Sequence, residues 1–259
     1  MKNKGKKLKK GLTVTAVIVT LLLTLNFLPN LTRKTSGMQV IEGSSVDVYY
    51  EKEASAAKDI FAAADARADV LAHLLGAKDS KKIEIYIYDR QSTMQQKKYG
   101  LIGSALGIDW YIGDNIKSDV ILTSPANPGK VHDCEDVKKA ALHEIVHAYN
   151  YLINKDMTYW VDNGLAGYLS GQKPAYPMCT YSPIPTLEQT KVRGLVAPIM
   201  FANYGGYEYS YTYIEYLSTT YSWEKVRDFA KSGDYEGEFG QTESQVYDGW
   251  TSYVKSNYS

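Results

Sequence analysis

Through residues 53–75 apolar side chains recur at Ile60, Ala64, Ala68, Leu71 and Leu75, at intervals of four, four, three and four. That is the period of a helix burying one face. Gly76 stands where a left-handed C-cap belongs. On either side the period drops to two. VDVYYE (46–51) alternates like a strand, and KKIEIYIYD (81–89) sets Ile83, Ile85 and Ile87 opposite Glu84, Tyr86 and Tyr88. A short helix is expected at 90–99. SALGIDWYIG (104–113) and SDVILTSP (118–125) read as two more strands, with the turn chemistry of GDN (113–115) between them.

After Glu135 the pattern becomes helical. EDVKKAALHEIVHAYNYLIN (135–154) carries Glu135 and Asp136 in its first turn, where acidic groups complement the helix dipole. Its apolar face is Leu142, Ile145, Val146, Tyr149 and Leu152. Four prolines make PAYPMCTYSPIPT (174–186) a loop. Further helices are expected at about 186–193, 207–220, 222–231 and 241–256. The chain thus divides into a leader (1–37), a sheet-bearing part (38–134) and a helical part (135–259). The fold class is α+β, with the 135–154 helix at the floor of a cleft between the two larger parts.

The leader has its own pattern. GLTVTAVIVTLLLTLNFLPNLT (11–32) contains no charge, and six lysines lie in the ten residues before it. Those lysines hold the N-terminus in the cytoplasm and place the rest of the chain outside. The apolar core, Leu12–Leu28, is at the short limit for a membrane span. No A-x-A cleavage pattern follows it, only a weak site near Thr35–Gly37, so an uncleaved anchor is favoured over a cleaved signal. A cell-membrane protein, single-pass with an extracytoplasmic body, is expected; a cleaved leader would make it a secreted one.

The overall net charge of zero therefore misleads. Beyond residue 34 there are 21 basic and 29 acidic residues. An acidic body argues against a nucleic-acid partner. Cys134 and Cys179 are the only cysteines, and outside the cytoplasm they are either one disulfide or two buried thiols. Tyrosine outnumbers phenylalanine by 23 to 5, which suits half-wet clefts as well as cores.

ALHEIVHAYNYL (141–152) carries the chemistry. His143 and His147 are four apart, so their rings share a helix face with Cβ atoms about 5–6 Å apart and can reach one metal ion. Glu144, one residue round, is placed to take a proton from a metal-activated water rather than to ligate. Two histidines point to zinc among divalent ions. A hydrolytic zinc needs a third protein ligand and an open position. Two histidines bonded locally within a core remain the plain alternative.

Downstream, YWVDNGLAGYLSG (159–171) makes the pattern specific. With HEIVH it resembles the peptidase MA-like family of gluzincin metallopeptidases, in which a HExxH helix is followed by a W-L-x-E-G-L-A-E-Y-type segment. Trp160, Gly164, Leu165, Ala166 and Tyr168 fall on that pattern, as do Tyr207, Ser210, Tyr216, Leu217, Trp223 and Val226 on the family's C-terminal pattern. The resemblance covers roughly 80–256. It implies a thermolysin-like two-subdomain fold and a zinc metallopeptidase acting on a peptide or protein substrate, with His143 and His147 as metal ligands and Glu144 as general base. The family's ligand Glu is replaced here by Asn163, and its second Glu by Gly167. Asn163 can ligate through its amide oxygen, Asp162 can take the place if the helix begins there, or tight metal binding has been lost. Asp162 and Asn163 can equally be plain N-caps. The intact Glu144 favours a persisting site completed by Asn163. Tyr207 is the candidate donor to a developing oxyanion, with Tyr204 and Tyr211 as neighbours. By the same resemblance, strand 119–124 would lie along the cleft and could pair with an extended peptide.

Two other readings stay open. One is a pseudopeptidase of the same fold that binds an extracytoplasmic peptide or envelope partner; the other is a tyrosine-rich surface module that binds polysaccharide or cell-wall material.

Overall fold

The structure is a computed structural model that describes residues 2–77, 80–105, 107–175, 177–179, 182–194 and 197–259. The leader forms α1 (Lys2–Phe27), continued by one 3-10 turn at Leu28–Leu31. Helix α2 (Ala54–Leu75) lies between β2 (Val46–Tyr50) and β3 (Ile83–Tyr88), and a short strand that the alternation did not reveal, β1 (Gln39–Glu42), precedes them. Then come α3 (Gln91–Tyr99), a 3-10 turn at Leu101–Ala105, and the hairpin of β4 (Gly113–Ile116) and β5 (Asp119–Thr123). The rest is helical: α4 (Cys134–Ile153), α5 (Tyr159–Leu169), α6 (Ala197–Asn203), α7 (Gly206–Thr220), α8 (Trp223–Ser232), α9 (Tyr235–Phe239) and α10 (Glu243–Asn257). The class is α+β.

The five-stranded sheet runs β1-β2-β3-β5-β4. β2, β3 and β5 are parallel, and antiparallel β1 and β4 form the edges. Both faces are covered, which explains why β3 is apolar on both sides. Ile83, Ile85 and Ile87 join Val46, Val48, Val120 and Leu122 under α2, in a core that continues into the helical part. Tyr86, Tyr88 and Ile121 face the other way, against Met94 of α3 and Tyr111. Gly76 caps α2 with φ of 66°.

The hairpin corrects the strand expectation. GDN is not a turn but the first three residues of β4, and most of 104–112 forms no strand. The turn is Lys117-Ser118, where Lys117 adopts φ of 61°, as a two-residue hairpin of right-handed twist demands. Consequently β5 is internal, and the strand bordering the cleft is β4, not 119–124. In the helical part, the helix expected at 186–193 is only one 3-10 turn, Gln189–Lys191, while α6 and α9 add two short helices. The described part of 174–186 is irregular; Tyr176, Thr180 and Tyr181 lie outside the described residues. Cys134 opens α4 and Cys179 lies beside Tyr209; both are free thiols, so the disulfide alternative falls.

Candidate functional site

Helix α4 is fixed at its start and along its face. Asp133 and Asp136 form a reciprocal capping box, with Asp136 N–H donating to Asp133 (2.9 Å) and Asp133 N–H to Asp136 (3.2 Å). Ile145, Val146 and Tyr149 are buried, and Leu142 and Leu152 pack at the margin of the core. This anchoring turns His143, Glu144 and His147 toward a cavity of about 570 Å3 between sheet and helices. Asp114 and Asn115 of β4, Tyr159, Asp162 and Asn163 of α5, and Tyr207 of α7 share that cavity.

The two imidazoles face each other, Nε2 to Nε2, at 3.1 Å. Each is held from behind. Nδ1 of His143 is 2.9 Å from Gln172 Oε1, an acceptor, so that nitrogen carries the hydrogen. Nδ1 of His147 is 2.8 Å from Asp162 Oδ1, and Asn150 donates to the same oxygen at 2.8 Å. Both Nε2 atoms therefore face one point. Two lone pairs so close repel unless a proton or a cation sits between them. Two nitrogens at about 2.05 Å from a tetrahedral zinc would be about 3.3 Å apart, close to the spacing here. The two imidazole nitrogens fit two positions on one metal ion.

Without a cation the same geometry holds a proton. Burial and the neighbouring His147 push the His143 pKa down to about 3. Burial lowers that of His147 too, but the Asp162 carboxylate outweighs it and lifts it to about 9. Glu144 is pushed up to about 8, chiefly by burial, with Asp114 and Asp162 adding and His147 and Lys98 opposing. A divalent ion beside Glu144 would oppose that burial effect and favour the carboxylate.

The third position is different. Among the described residues no three His, Cys, Asp or Glu side chains gather as a metal-binding group. Asn163 lies on the cavity wall, buried, with Nδ2 donating to Tyr159 O at 2.9 Å, which leaves Oδ1 as the atom able to ligate. Helix α5 begins at Tyr159, capped by Thr158, whose hydroxyl accepts from Val161 N–H at 3.3 Å. Neither Asp162 nor Asn163 is therefore a cap. Nor is Asp162 at a helix start that would let it replace Asn163; it is engaged behind His147.

Three parts of the wall escaped sequence reasoning. Gln172, just beyond α5, was not singled out, and Asp162 was singled out as a ligand or cap and not as the group behind His147; those positions show only once α4 and the α5 region are seen side by side. Gly113 on the edge strand gives Glu144 room, since an added Cβ would come 3.2 Å from Glu144 Cγ. Asp114 accepts from Lys98 Nζ (2.7 Å) and from the Tyr111 hydroxyl, placing a paired carboxylate beside the cavity.

Tyr207 lines the cavity; its neighbours Tyr204 and Tyr211 do not. Burial raises its pKa to about 12, so it stays a phenol. Tyr159 and Tyr207 share a hydrogen bond that lowers the pKa of Tyr207 and raises that of Tyr159.

No family model matches the chain, and no curated protein does.

Proposed function

We propose that this protein is a membrane-anchored, zinc-dependent metallopeptidase of thermolysin-like plan, resembling the peptidase MA-like gluzincins. The observation that carries the reading is the His143–His147 pair: two Nε2 atoms 3.1 Å apart, each ring with an oxygen behind it at Nδ1. Such backing by a carboxylate or an amide oxygen is what orients imidazoles around a metal. His143, His147 and the Asn163 amide oxygen would hold the ion. When bound, zinc acts as a Lewis acid and lowers the pKa of water to about 7. Glu144, adjoining the imidazoles, takes the proton from the attacking water and passes it to the leaving amine. Tyr207 donates to the oxygen of the scissile carbonyl as charge develops there.

The anchor is supported by the leader's form. Gly11–Leu31 is one apolar stretch of 21 residues with mean hydropathy 2.1, and its helical window has no buried residue. A partner peptide has the β4 edge to lie on, since β4 pairs with β5 on one side alone.

The neutral Asn163 favours a second reading, a weakened pseudopeptidase that binds a peptide without turning it over. Zinc analysis of the full chain in detergent, after dialysis against trace zinc, decides first. About one zinc per chain in wild type and none in His147→Ala is expected for a mononuclear site with imidazole ligands. No zinc in wild type would sink the peptidase reading. Zinc without peptide hydrolysis, in protein where Glu144→Gln changes nothing, would favour the binding module.

A further inference from the structure

The end of the leader is built into the body rather than strung loosely before it. Asn26 accepts from Ile102 N–H at 3.0 Å, and Gly100 packs so tightly on Asn26 that no side chain would fit there. Asn30 donates to Lys98 O at 2.7 Å, and buried Lys97 donates to Thr32 O at 2.8 Å. Tyr88 donates to Arg33 O at 2.6 Å, and Arg33 lies 3.5 Å from Asp119. The body is therefore fixed in orientation relative to α1 by contacts on α3, β3 and β5.

That orientation has a consequence for the turn at Leu101–Ala105. Its residue Ile102 is bonded to Asn26, yet the apolar stretch continues to Leu31. At about 1.5–2 Å of rise per residue, five residues put this turn about 8–10 Å short of the end of that stretch. Leu101 and Ile102 are 50% and 57% exposed there, and Phe27, Leu28 and Leu31 of the leader are exposed as well. In water this would be an uncovered apolar patch; at that level of a span it meets lipid. No acidic residue occurs from Arg90 to Ile108, so nothing in the segment repels anionic headgroups.

We infer that the body is seated on the bilayer through a second contact, with Leu101 and Ile102 inserted at the boundary between headgroups and acyl chains. The inference rests on the anchor reading of α1, not on the peptidase reading. The occupant of the patch is the lipid of the membrane that α1 crosses. Because Lys98 and Tyr99 of α3 both line the cavity and adjoin Asn26 and Asn30, this seating brings one wall of the cleft down to the membrane surface.

The test uses the full chain in phosphatidylcholine–phosphatidylglycerol nanodiscs, with Cys134→Ala and Cys179→Ala removing the native thiols. A single cysteine is introduced as Leu21→Cys, Ile102→Cys or Ser252→Cys and labelled with the environment-sensitive fluorophore NBD. Quenching by lipids spin-labelled near the glycerol and deep in the acyl chain reads depth. Seating predicts deep quenching at 21, quenching by the shallow label with blue-shifted emission at 102, and neither at 252. If 21 is quenched but 102 matches 252, the anchor stands and the seating is overturned. If 21 is also unquenched, the span itself is absent and the inference falls with it. As a second arm, Leu101→Asp with Ile102→Asp should release the quenching of a label at Ser104→Cys while the 21 label is unmoved. Quenching retained in that double variant would also overturn the proposal.

Discussion

At the residue scale the decisive fact is that Asp162 stands behind His147, at Nδ1, and not beside the facing Nε2 atoms. Its carboxylate holds His147 by Nδ1 and raises the pKa of that ring to about 9 in the metal-free protein. Two outcomes follow. The folded pKa lies above the ordinary 6.5, so the interaction stabilises the metal-free fold fully below pH 6.5 and is lost as pH rises through about 9. Thermal melts of metal-free protein between pH 6 and 9.5 should show that loss in wild type and much less of it in Asp162→Asn; equal slopes would show that Asp162 does not set the titration. Metal must displace the same proton, so zinc affinity should climb with pH over this range, and Asp162→Asn should weaken it by about 10–100-fold. Asn163→Glu acts in the opposite sense. It replaces a neutral oxygen by a charged one, and competition with a zinc chelator should show tighter binding; unchanged affinity would remove Asn163 from the ligand set. His143, Glu144 and His147 were legible because a four-residue spacing on a helix is a statement about one face. Gln172 was not, and Asp162 was named for a different role, because what each does depends on which segment lies alongside α4.

At the element scale, α5 and α7 cross where Gly164 meets the backbone of Ser210. A Cβ on Gly164 would stand 2.5 Å from Ser210 O and 2.8 Å from Ile214 Cγ1, too close for either to yield cheaply. The crossing sets where Asn163 and Tyr207 stand across the cavity from each other. Gly164→Ala should therefore cost about 1–3 kcal/mol of stability by overpacking, read from urea unfolding of the full chain in detergent. Gly167→Ala, whose new carbon would rest 3.8 Å from Tyr211, should cost far less. Equal losses in the two variants would mean that the crossing tolerates expansion and does not position the site. Periodicity located most long helices to within a residue or two, because α2, α4 and α10 each bury a regular stripe. It failed on β4. GDNI has no apolar alternation, since an edge strand beside a polar cavity has no reason to alternate, and its Gly-Asp-Asn reads as a turn until the neighbouring Lys117 is seen taking that role.

At the scale of the whole molecule, the boundary drawn from composition between leader and body falls inside a packed junction. Hydropathy marks where a span ends, but it is blind to what docks against that end. Lys97 is 6% exposed and donates to Thr32 O, and burial lowers its pKa. A chain beginning after residue 35 strands this ammonium, together with the hydroxyl of Tyr88 that bonds Arg33 O. A buried donor left unpaired costs about 1–3 kcal/mol, more if charged. In a body of this size 1 kcal/mol moves the melting temperature by about 2–4 °C. A chain of residues 36–259 should therefore melt about 5–10 °C below the full chain. One of residues 26–259, which keeps Asn26 through Thr35, should melt close to the full chain. The three are compared in the same detergent by near-ultraviolet circular dichroism, which the tyrosine-rich core makes sensitive. Equal melting of all three would show that the junction adds nothing to the fold and that the leader is a tether after all. A loss confined to 36–259 would show instead that the segment joining span to body is a working part of the body, folded with it and lost with it.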